Sequence, residues 1–306
     1  MNEFLPEGRL LASERNQWYL SNPENLKRVW EEQILLEARA CMCDSSHNLI
    51  LDIPGVTAVI PRKEGAVGIE EGVTKDIALI SRVNKAVCFY ITAMKKQENG
   101  EILVICSRRR VQENCGRRYL DFLRCGDVIP ARITHMESFG AFADIGCGLP
   151  ALLPIDAISV SRISHPRDRL SVGLDIRAVV KSIEDGRICL THKELLGTWE
   201  ENARLFQSDE TVSGIVRSVE EYGIFVELAP NLSGLAEYRE GVTPGQQASV
   251  FIKSILPEKM KIKLNIVDAF DAEYSVGEPG YFYTGNHIDY FCYSPDCCDK
   301  KIESVF

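Results

Sequence analysis

The feature that most constrains this chain is the spacing of its short apolar runs between residues 126 and 193. Each run is rich in Val, Ile and Ala, and glycine, proline or Asp-Gly separates it from the next, as in the strands of a small barrel. The predicted strands are 128–134, 141–145, 149–153, 176–183 and 187–191. Asp185-Gly186 joins the last two and suits a type I′ turn, because both central positions need positive φ. Five strands in roughly 70 residues predict a Greek-key OB-type barrel.

The same pattern occurs a second time further along the chain. An aromatic-Gly-x-Phe core at 139–142 recurs at 222–225, and its two glycines, Gly140 and Gly223, are 83 residues apart (223 − 140). That separation is about the length of one small domain and indicates tandem modules.

At these residues the sequence resembles the S1 RNA-binding domain family. The matching features are the opening Gly-Asp-x-x-x-x-x-Ile, the aromatic-Gly-x-Phe core, the Gly-Leu step after it and the closing Ile-x-Leu-Thr. The resemblance covers 126–193 and 209–267. It implies barrels that bind single-stranded RNA such as messenger RNA in translation, with the 30S ribosomal subunit as a further candidate partner.

The resemblance implies that both rings of each core face the RNA. Strict alternation along a strand would put Phe139 and Phe142 on opposite faces, so a bulge or bend at Gly140 is expected; the alternative is that a ring lies in the core. Arg187 and Lys261 match the family's basic position. The candidate RNA-binding residues are Phe139, Phe142, Arg162, Arg167, Arg169, Arg187, Tyr222, Phe225, Lys261, Lys263, Arg108, Arg109 and Arg110.

Two positions depart from the family pattern. Pro154 and Glu237 stand where the family commonly has a His, and a carboxylate that faces phosphates is repulsive. We therefore expect the last barrel to bind RNA more weakly than the middle one. The arginines of the connection 155–172 either line the same groove or belong to a solvated loop.

The whole chain is predicted to be mainly β, with tandem five-stranded OB-fold barrels of the S1 type joined by short helical linkers. Ser21-Asn22-Pro23-Glu24 fits a capping box with Ser21 as N-cap, which predicts a short helix through Trp30. The predicted segments are an N-terminal helical segment 1–34, a diverged S1-like barrel 35–107, a basic linker 108–125, an S1 domain 126–193, a helical linker 194–208, an S1 domain 209–270 and an aromatic, Cys-containing tail 271–306.

The predicted first barrel lacks the aromatic core. Its strands are 35–43, 48–53, 56–60, 86–94 and 101–106, with Glu98-Asn99-Gly100 as the last hairpin turn. The stretch 47–53, His-Asn-Leu-Ile-Leu-Asp-Ile, stands where the rings would be. Without rings a module lacks its main sequence-tolerant contact with bases, which favours docking or scaffolding over RNA binding.

Charge is distributed unevenly along this acidic chain, whose net charge is −9. Six basic and two acidic residues give 106–125 a net charge of +4, whereas two basic and seven acidic residues give 271–306 a net charge of −5. Because phosphate contacts depend on local Lys and Arg, a basic flank allows RNA binding by an acidic chain. The Arg108–Arg110 run either contacts phosphates or belongs to a solvated helical linker.

Several classes of protein are disfavoured. The sequence has no apolar run of about 18 residues and no signal-peptide pattern at its start, so a cytoplasmic protein without membrane contact is expected. Eleven cysteines indicate reduced thiols. P-loop, nucleophile-elbow, His-Glu-x-x-His and Rossmann motifs are missing, which predicts a non-enzymatic protein without cofactor.

Two alternatives stay open. The barrels could bind proteins instead of RNA, as a scaffold or accessory factor in ribosome function or RNA degradation. The tail residues His287, Cys292, Cys297 and Cys298 could form a zinc site of a metal-dependent RNA hydrolase, although adjacent cysteines do not match a Cys-x-x-Cys knuckle. The competing interpretation of the tail is an ordered aromatic segment packed on the last barrel.

Overall fold

The computed structural model describes residues 3–98, 100–272 and 277–306, which form three closed five-stranded barrels. Within each barrel the strands follow one another around the closed sheet as first, second, third, fifth and fourth. The third strand pairs in parallel with the fifth, and this pair closes the barrel. Such an order is that of the Greek-key OB fold. The predicted mainly β fold with tandem OB-type barrels is confirmed.

The chain separates into two compact units, Met1–Leu123 with Asp144–Pro150, and Arg124–Ala143 with Ala151–Phe306. The first unit begins with helices α1 (Glu14–Leu20) and α2 (Pro23–Glu32). Its barrel strands are β1 (Leu36–Cys43), β2 (Leu49–Leu51), β3 (Thr57–Ile60), β4 (Ala86–Lys96) and β5 (Ile102–Ser107). A 3-10 turn and the short helix α3 (Ile77–Ile80) lie between β3 and β4, and Asn99 of the predicted hairpin turn lies outside the described residues.

Helix α2 in the first unit is stabilised by a capping side chain at its start and by apolar side chains buried on one face. Leu26 and Val29, three residues apart on one face, are fully buried against the barrel, and burial of such side chains contributes roughly 1.5–3 kcal/mol each. The N-cap is Asn22, whose side chain accepts from Glu24 N at 2.9 Å. The predicted N-cap Ser21 is wrong, because its hydroxyl donates instead to Trp18 O, at the end of α1.

After the first barrel comes helix α4 (Arg109–Arg118). The middle barrel then consists of β6 (Val128–Glu137), β7 (Gly140–Asp144), β8 (Pro150–Pro154), β9 (Asp175–Glu184) and β10 (Arg187–Thr191). Asp185 and Gly186 both have positive φ, 49° and 73°, so the predicted type of turn between β9 and β10 is confirmed. Helix α5 (Trp199–Ala203) follows, with a capping box between Thr198 and Glu201.

The third barrel is packed against the middle one within the second unit. Its strands are β11 (Thr211–Glu220), β12 (Gly223–Ala229), β13 (Leu232–Ala236), β14 (Gln247–Leu256) and β15 (Lys261–Phe270). The fully buried Asn231 joins the two barrels: its Oδ1 accepts from Val160 N, and its Nδ2 donates to the carbonyls of Lys193 and Gly197. Ser161 adds a hydroxyl contact of 2.8 Å to Ser233.

The C-terminal tail contacts both of these barrels and carries a hairpin of β16 (Tyr290–Cys292) and β17 (Glu303–Val305). The Arg177 guanidinium on the middle barrel donates to the carbonyls of residues 283, 284 and 285. Tyr293 packs in the core cluster of the third barrel, and its hydroxyl donates to Asn231 O. The tail therefore holds two barrels, not only the last one.

The glycine of the aromatic-Gly-x-Phe core is required by close packing. A Cβ on Gly140 would lie 2.6 Å from Leu153 O, and one on Gly223, at φ +149°, would lie 2.5 Å from Ala236 O. Backbone atoms of the neighbouring strand cannot retreat without breaking the barrel's hydrogen bonds.

We expect Gly140→Ala to lower the free energy of unfolding by about 1–3 kcal/mol, the usual cost of overpacking. Gly116→Ala is the matched control, because nothing lies within 4 Å of its added Cβ and it sits inside helix α4. Urea unfolding followed by circular dichroism measures both. Equal stability of the two variants would contradict the packing argument.

Candidate nucleic-acid interface

The two rings of the middle barrel lie side by side. Phe139 is 54% exposed and Phe142 is half-buried, and their rings meet edge to face with centroids 6.1 Å apart. Phe139 belongs to the two-residue turn between β6 and β7, so strand alternation does not apply to it. The turn, together with the close approach at Gly140, brings the rings together, so a bulge or bend at Gly140 is not needed to explain their arrangement.

The third barrel repeats this ring arrangement. Tyr222 is 70% exposed in the turn before β12, Phe225 is half-buried, and their centroids are also 6.1 Å apart. Phe225 lies opposite Leu235, and Leu235 lies opposite Lys263. Directly opposed residues point to the same face of a sheet. Phe225 and Lys263 therefore share one face across three strands, and Lys261, two residues earlier on β15, shares it too.

The middle barrel has a different residue at the position of Lys263. Cys189 lies opposite Leu152, as Lys263 lies opposite Leu235 in the third barrel. On the last strand of the middle barrel the exposed Arg187 corresponds to Lys261, and Cys189 replaces the second basic residue. Burial raises the pKa of the Cys189 thiol, which keeps it neutral at pH 7.

Two residues of this interface, Lys181 and His135, were missed from the sequence. Lys181 and Lys253 are exposed and occupy the bulged position of the fourth strand in their barrels; the repeated Lys-Ser-Ile at 181–183 and 253–255 was a usable indication. His135 is exposed on β6 and stacks on Phe142, with centroids 6.3 Å apart and planes at 21°. Only the register of β6 beside β7 places it there.

The first barrel presents aliphatic side chains at the corresponding positions. Ile50 lies opposite Val59, and Val59 lies opposite Ile105, in the same row that holds Phe225, Leu235 and Lys263 in the third barrel. This row offers no ring for base stacking and no cation.

Arg169 does not line an open groove. Its side chain is only 10% exposed, and its Nη2 donates to the buried Glu227, which also accepts from Arg217 Nε at 2.8 Å. The prediction that Arg169 contacts RNA phosphates is wrong, because the guanidinium joins the middle barrel to the third. Arg162 and Arg167, in the same connection, are exposed.

Arg108 is also buried. Its Nε and Nη2 donate to both carboxylate oxygens of Glu7, at 2.7 and 2.9 Å, in a bidentate pair. Burial alone raises the pKa of Glu7, but Arg108 and then Arg82 outweigh it and hold that pKa below its usual value. Arg109 pairs with Glu64 at 2.9 Å, whereas Arg110 is exposed. The basic run is thus largely structural, and the predicted phosphate contact of Arg108 is wrong.

The two ends of this run make a direct test. We expect Arg108→Ala to destabilise the protein by about 3–5 kcal/mol, because the buried Glu7 carboxylate loses its bidentate arginine. Arg110→Ala, at an exposed position, is expected to stay within about 0.5 kcal/mol of the wild type. Thermal unfolding compares them, and similar melting temperatures for the two variants would contradict the assignment.

The candidate zinc ligands are not brought together. His287 Nδ1 lies 2.7 Å from Asp127 Oδ1 and its Nε2 lies 3.1 Å from Asp289 Oδ1, and these carboxylates raise the pKa of His287. Cys292 Sγ faces Ser294 O. Among the residues with described coordinates, no group of three or more His, Cys, Asp or Glu is arranged to hold a metal ion.

A buried hydrogen-bond chain ties the tail to the middle barrel. Arg177 N donates to Tyr281 Oη at 2.9 Å, and Tyr281 Oη lies 3.1 Å from His192 Nε2, while His192 Nδ1 lies 3.1 Å from Ile158 O. A carbonyl can only accept, so Nδ1 carries the proton and Nε2 accepts from the tyrosine. Burial lowers the pKa of His192 to about 4. The chain is satisfied only while His192 is neutral.

This chain predicts a pH dependence. Because the pKa of folded His192 lies below the unfolded value of about 6.5, its stabilising contribution is complete above that pH and is lost as the pH falls towards 4. Between pH 7 and pH 5 we expect this group to cost about 2 kcal/mol of unfolding free energy. His192→Gln should remove that increment, and urea titrations at both pH values measure it. The same pH dependence in both proteins would overturn this account.

Comparisons with known proteins find a family match in the middle barrel. Residues 123–193 match the family model described as the S1 RNA binding domain. The middle barrel is therefore similar to the S1 RNA binding domain, and the resemblance inferred from its motifs is confirmed there.

Relatives that carry the name small ribosomal subunit protein bS1 extend the match. The chain is 35% identical to the one from Staphylococcus epidermidis and 33% identical to one from Staphylococcus aureus, each over 181 residues. These alignments cover 53% of this chain and 46% of each relative. The chain thus matches about half the length of these curated relatives.

One solved structure covers more of the chain. A multidomain protein with nucleic acid binding domains from Streptococcus pneumoniae is 13% identical, covers 76% of this chain and 73% of its own, and gives a TM-score of 0.26. Within 3–98, 100–272 and 277–306, no helix is long and apolar enough to cross a membrane.

Proposed function

We propose that this protein is a non-enzymatic, cytoplasmic single-stranded RNA-binding factor of translation that resembles ribosomal protein S1, with messenger RNA as its ligand. The observation that carries the proposal is an edge-to-face ring pair, one ring exposed and the other half-buried, which repeats with the same centroid separation of 6.1 Å on the middle and third barrels. The match of residues 123–193 to the S1 RNA binding domain supports the same ligand. The names of the relatives support the 30S ribosomal subunit as a partner.

The mechanism we propose is base stacking. Every nucleobase has a π-face, so a ring that protrudes into solvent binds bases of any sequence, at about 1–3 kcal/mol each. Phe139 and Tyr222 present such rings, and Phe142, flanked by His135, extends the aromatic surface of the middle barrel. This surface discriminates little between sequences.

The phosphates are met by cations beside the rings. Arg187 in the middle barrel and Lys261 and Lys263 in the third are exposed on the last strand, and Lys181 and Lys253 stand at the bulge of the strand before it. We also propose phosphate contacts for the exposed Arg162 and Arg167, in the connection between β8 and β9, and for Arg110 in α4. Lys253 lies 3.0 Å from the exposed Glu237, which weakens its attraction for phosphate.

The tandem arrangement raises affinity. Because Asn231, Ser161 and Arg169 hold the middle and third barrels together, an RNA bound to one barrel meets the other at a high effective concentration. The first barrel, with Ile50, Val59 and Ile105 in place of rings, contributes docking instead of stacking in this proposal.

The test is fluorescence anisotropy of a labelled single-stranded RNA. We expect Phe139→Ala with Phe142→Ala to weaken binding about 10- to 100-fold, because two stacking rings are lost. Arg187→Ala should reduce the slope of log affinity against log salt by about 0.7, the value for one single-strand phosphate contact.

Phe122→Ala is the matched control, because Phe122 is a 72% exposed ring in the 3-10 turn after α4. Unchanged affinity in the ring double variant, with circular dichroism like that of the wild type, would sink the proposal and leave a protein-binding scaffold as the function.

A further inference from the structure

A cavity of about 530 Å³ opens on the surface of the third barrel, beside its ring face. Its lining comes from that barrel: from the segment after β13, from β14 and from β15. Tyr238 and Phe251 contribute aromatic rings to it, and Asn265 contributes a carboxamide. Small-molecule sites are concave, largely apolar, supplied with a few placed polar groups, and about 300–1,000 Å³ in volume. The volume suits a group the size of a nucleoside.

The strand register places this cavity next to the ring face. Asn265 lies two residues after Lys263 on β15 and directly opposite Phe251 on β14. The adjacent opposed pair, Leu264 and Ile252, is buried in the core. Because successive side chains of a strand alternate between faces, Asn265 and Phe251 point outward, on the face that carries Lys263. Two residues of a strand span about 7 Å, so an RNA strand that contacts Lys263 also reaches the cavity.

The middle barrel covers the corresponding part of its surface with its own chain. Thr191 and Val179 form the equivalent opposed pair there, with Thr191 two residues after Cys189 on the last strand. Both are buried: Val179 packs in a cluster with Ile288 of the tail, and the Thr191 hydroxyl donates to Glu194 at 2.6 Å. In the third barrel a ring and a carboxamide replace this aliphatic and hydroxyl pair, and a cavity lies in front of them.

The rings of the cavity extend the stacking surface of the third barrel. Tyr238 is 59% exposed and Phe251 is half-buried. An OB-type barrel occupies about 4–16 nucleotides of a single strand, whereas Tyr222 and Phe225 offer only two rings. The cavity thus supplies further stacking surface, in the direction in which a strand of that length has to continue.

Arg239 fixes the segment that carries Tyr238. Its Nη1 donates to the carbonyls of Ile266 and Val267 on β15, at 3.0 and 2.8 Å. These bonds hold the wall of the cavity next to β15. Arg239 is itself exposed, and its positive charge attracts the phosphates of a strand that crosses the cavity.

The polar groups of the cavity indicate which base fits. The Asn265 carboxamide presents a donor and an acceptor side by side, which pair with the amino group and the adjacent ring nitrogen of adenine. Glu237 lines the same cavity and, when ionised, only accepts hydrogen bonds. An amino group donates to such a carboxylate, whereas the carbonyl oxygens of uracil are repelled by it. Lys253 lies 3.0 Å from Glu237, so hydrogen bonding and not net charge selects the base.

We propose that this cavity binds one nucleobase with an exocyclic amino group, adenine in the first instance, stacked on Tyr238 and paired with the carboxamide of Asn265. The inference rests on the proposed RNA-binding function and deepens it: the ring faces accept any base, and this cavity adds a base preference to the third barrel. The base comes either from bound RNA or from a free mononucleotide.

The experiment removes the carboxamide without changing charge. Anisotropy measures the affinity of octameric adenosine RNA and octameric uridine RNA for the wild type and for Asn265→Thr, which installs the residue that the middle barrel has at this position. We expect Asn265→Thr to weaken oligoadenosine binding about fivefold or more, because a bidentate base contact is lost, and oligouridine binding less than about twofold. Circular dichroism and urea unfolding confirm that the variant is folded.

A second variant tests the stacking contact. Tyr238→Ala is expected to weaken binding of both octamers about fivefold or more, because stacking does not depend on the base. Tyr290→Ala is the matched control, since Tyr290 is a 55% exposed tyrosine of the tail hairpin, outside the cavity. It should bind both octamers like the wild type.

Two further ligands sharpen the assignment. An octamer of purine ribonucleoside lacks only the amino group of adenine, and we expect it to bind the wild type about fivefold more weakly than oligoadenosine but to bind Asn265→Thr equally well. Adenosine 5′-monophosphate, titrated by calorimetry, tests a free nucleotide. Binding of the monophosphate that Asn265→Thr abolishes, with oligoadenosine affinity unchanged, would support the base site and assign it to free nucleotides.

Equal binding of every ligand by the wild type, Asn265→Thr and Tyr238→Ala would overturn the inference, and so would equal losses for oligoadenosine and oligouridine in Asn265→Thr. If the Phe139→Ala, Phe142→Ala variant still loses RNA in either case, the proposed function stands without the base site. If that ring variant also binds RNA like the wild type, the proposed function fails together with the inference.

Discussion

The ring faces depend on one steric constraint, the contact between a glycine and the carbonyl oxygen of the next strand. No side chain fits on Gly140 or Gly223, because its first carbon would lie 2.6 or 2.5 Å from that oxygen. The neighbouring strand can therefore approach closely at the glycine, where the turn ends and the strand begins. The aromatic turn residue just before the glycine then contacts the ring of the Phe two positions after the glycine. Equal centroid separations in the two barrels follow from this shared packing.

A second constraint is the acid two residues after each core. Asp144 accepts from the backbone N–H of Glu7 at 2.7 Å, and burial, reinforced by the Glu7 carboxylate, raises the pKa of Asp144 to about 7. Glu227, its counterpart in the repeat, accepts from Arg169 and Arg217. Both carboxylates are buried, and each takes hydrogen bonds from a segment distant in the chain. Each of these two barrels thus has a buried carboxylate beside its ring face. That carboxylate accepts hydrogen bonds from another segment and holds the segment in place.

In the second unit these contacts turn two barrels and a tail into one body. The side chain of Asn231 makes its hydrogen bonds across the junction between the barrels, and the Tyr293 hydroxyl of the tail donates to the Asn231 carbonyl. The ring faces and the cations of the last strands are consequently held in a fixed relation. A rigid platform of this kind loses little entropy when it binds a flexible strand.

The barrels and the turn at Asp185-Gly186 could be predicted from the sequence, because they depend on alternation and on positive φ over a few adjacent residues. The predicted phosphate contacts of Arg108 and Arg169 were wrong, because the sequence does not show whether a charged side chain faces solvent or a buried carboxylate. It also overlooked His135 and Lys181, whose exposure beside the rings depends on strand register. Only the tertiary structure decided these roles, because burial and ion pairing join residues 58 and 101 positions apart in the chain.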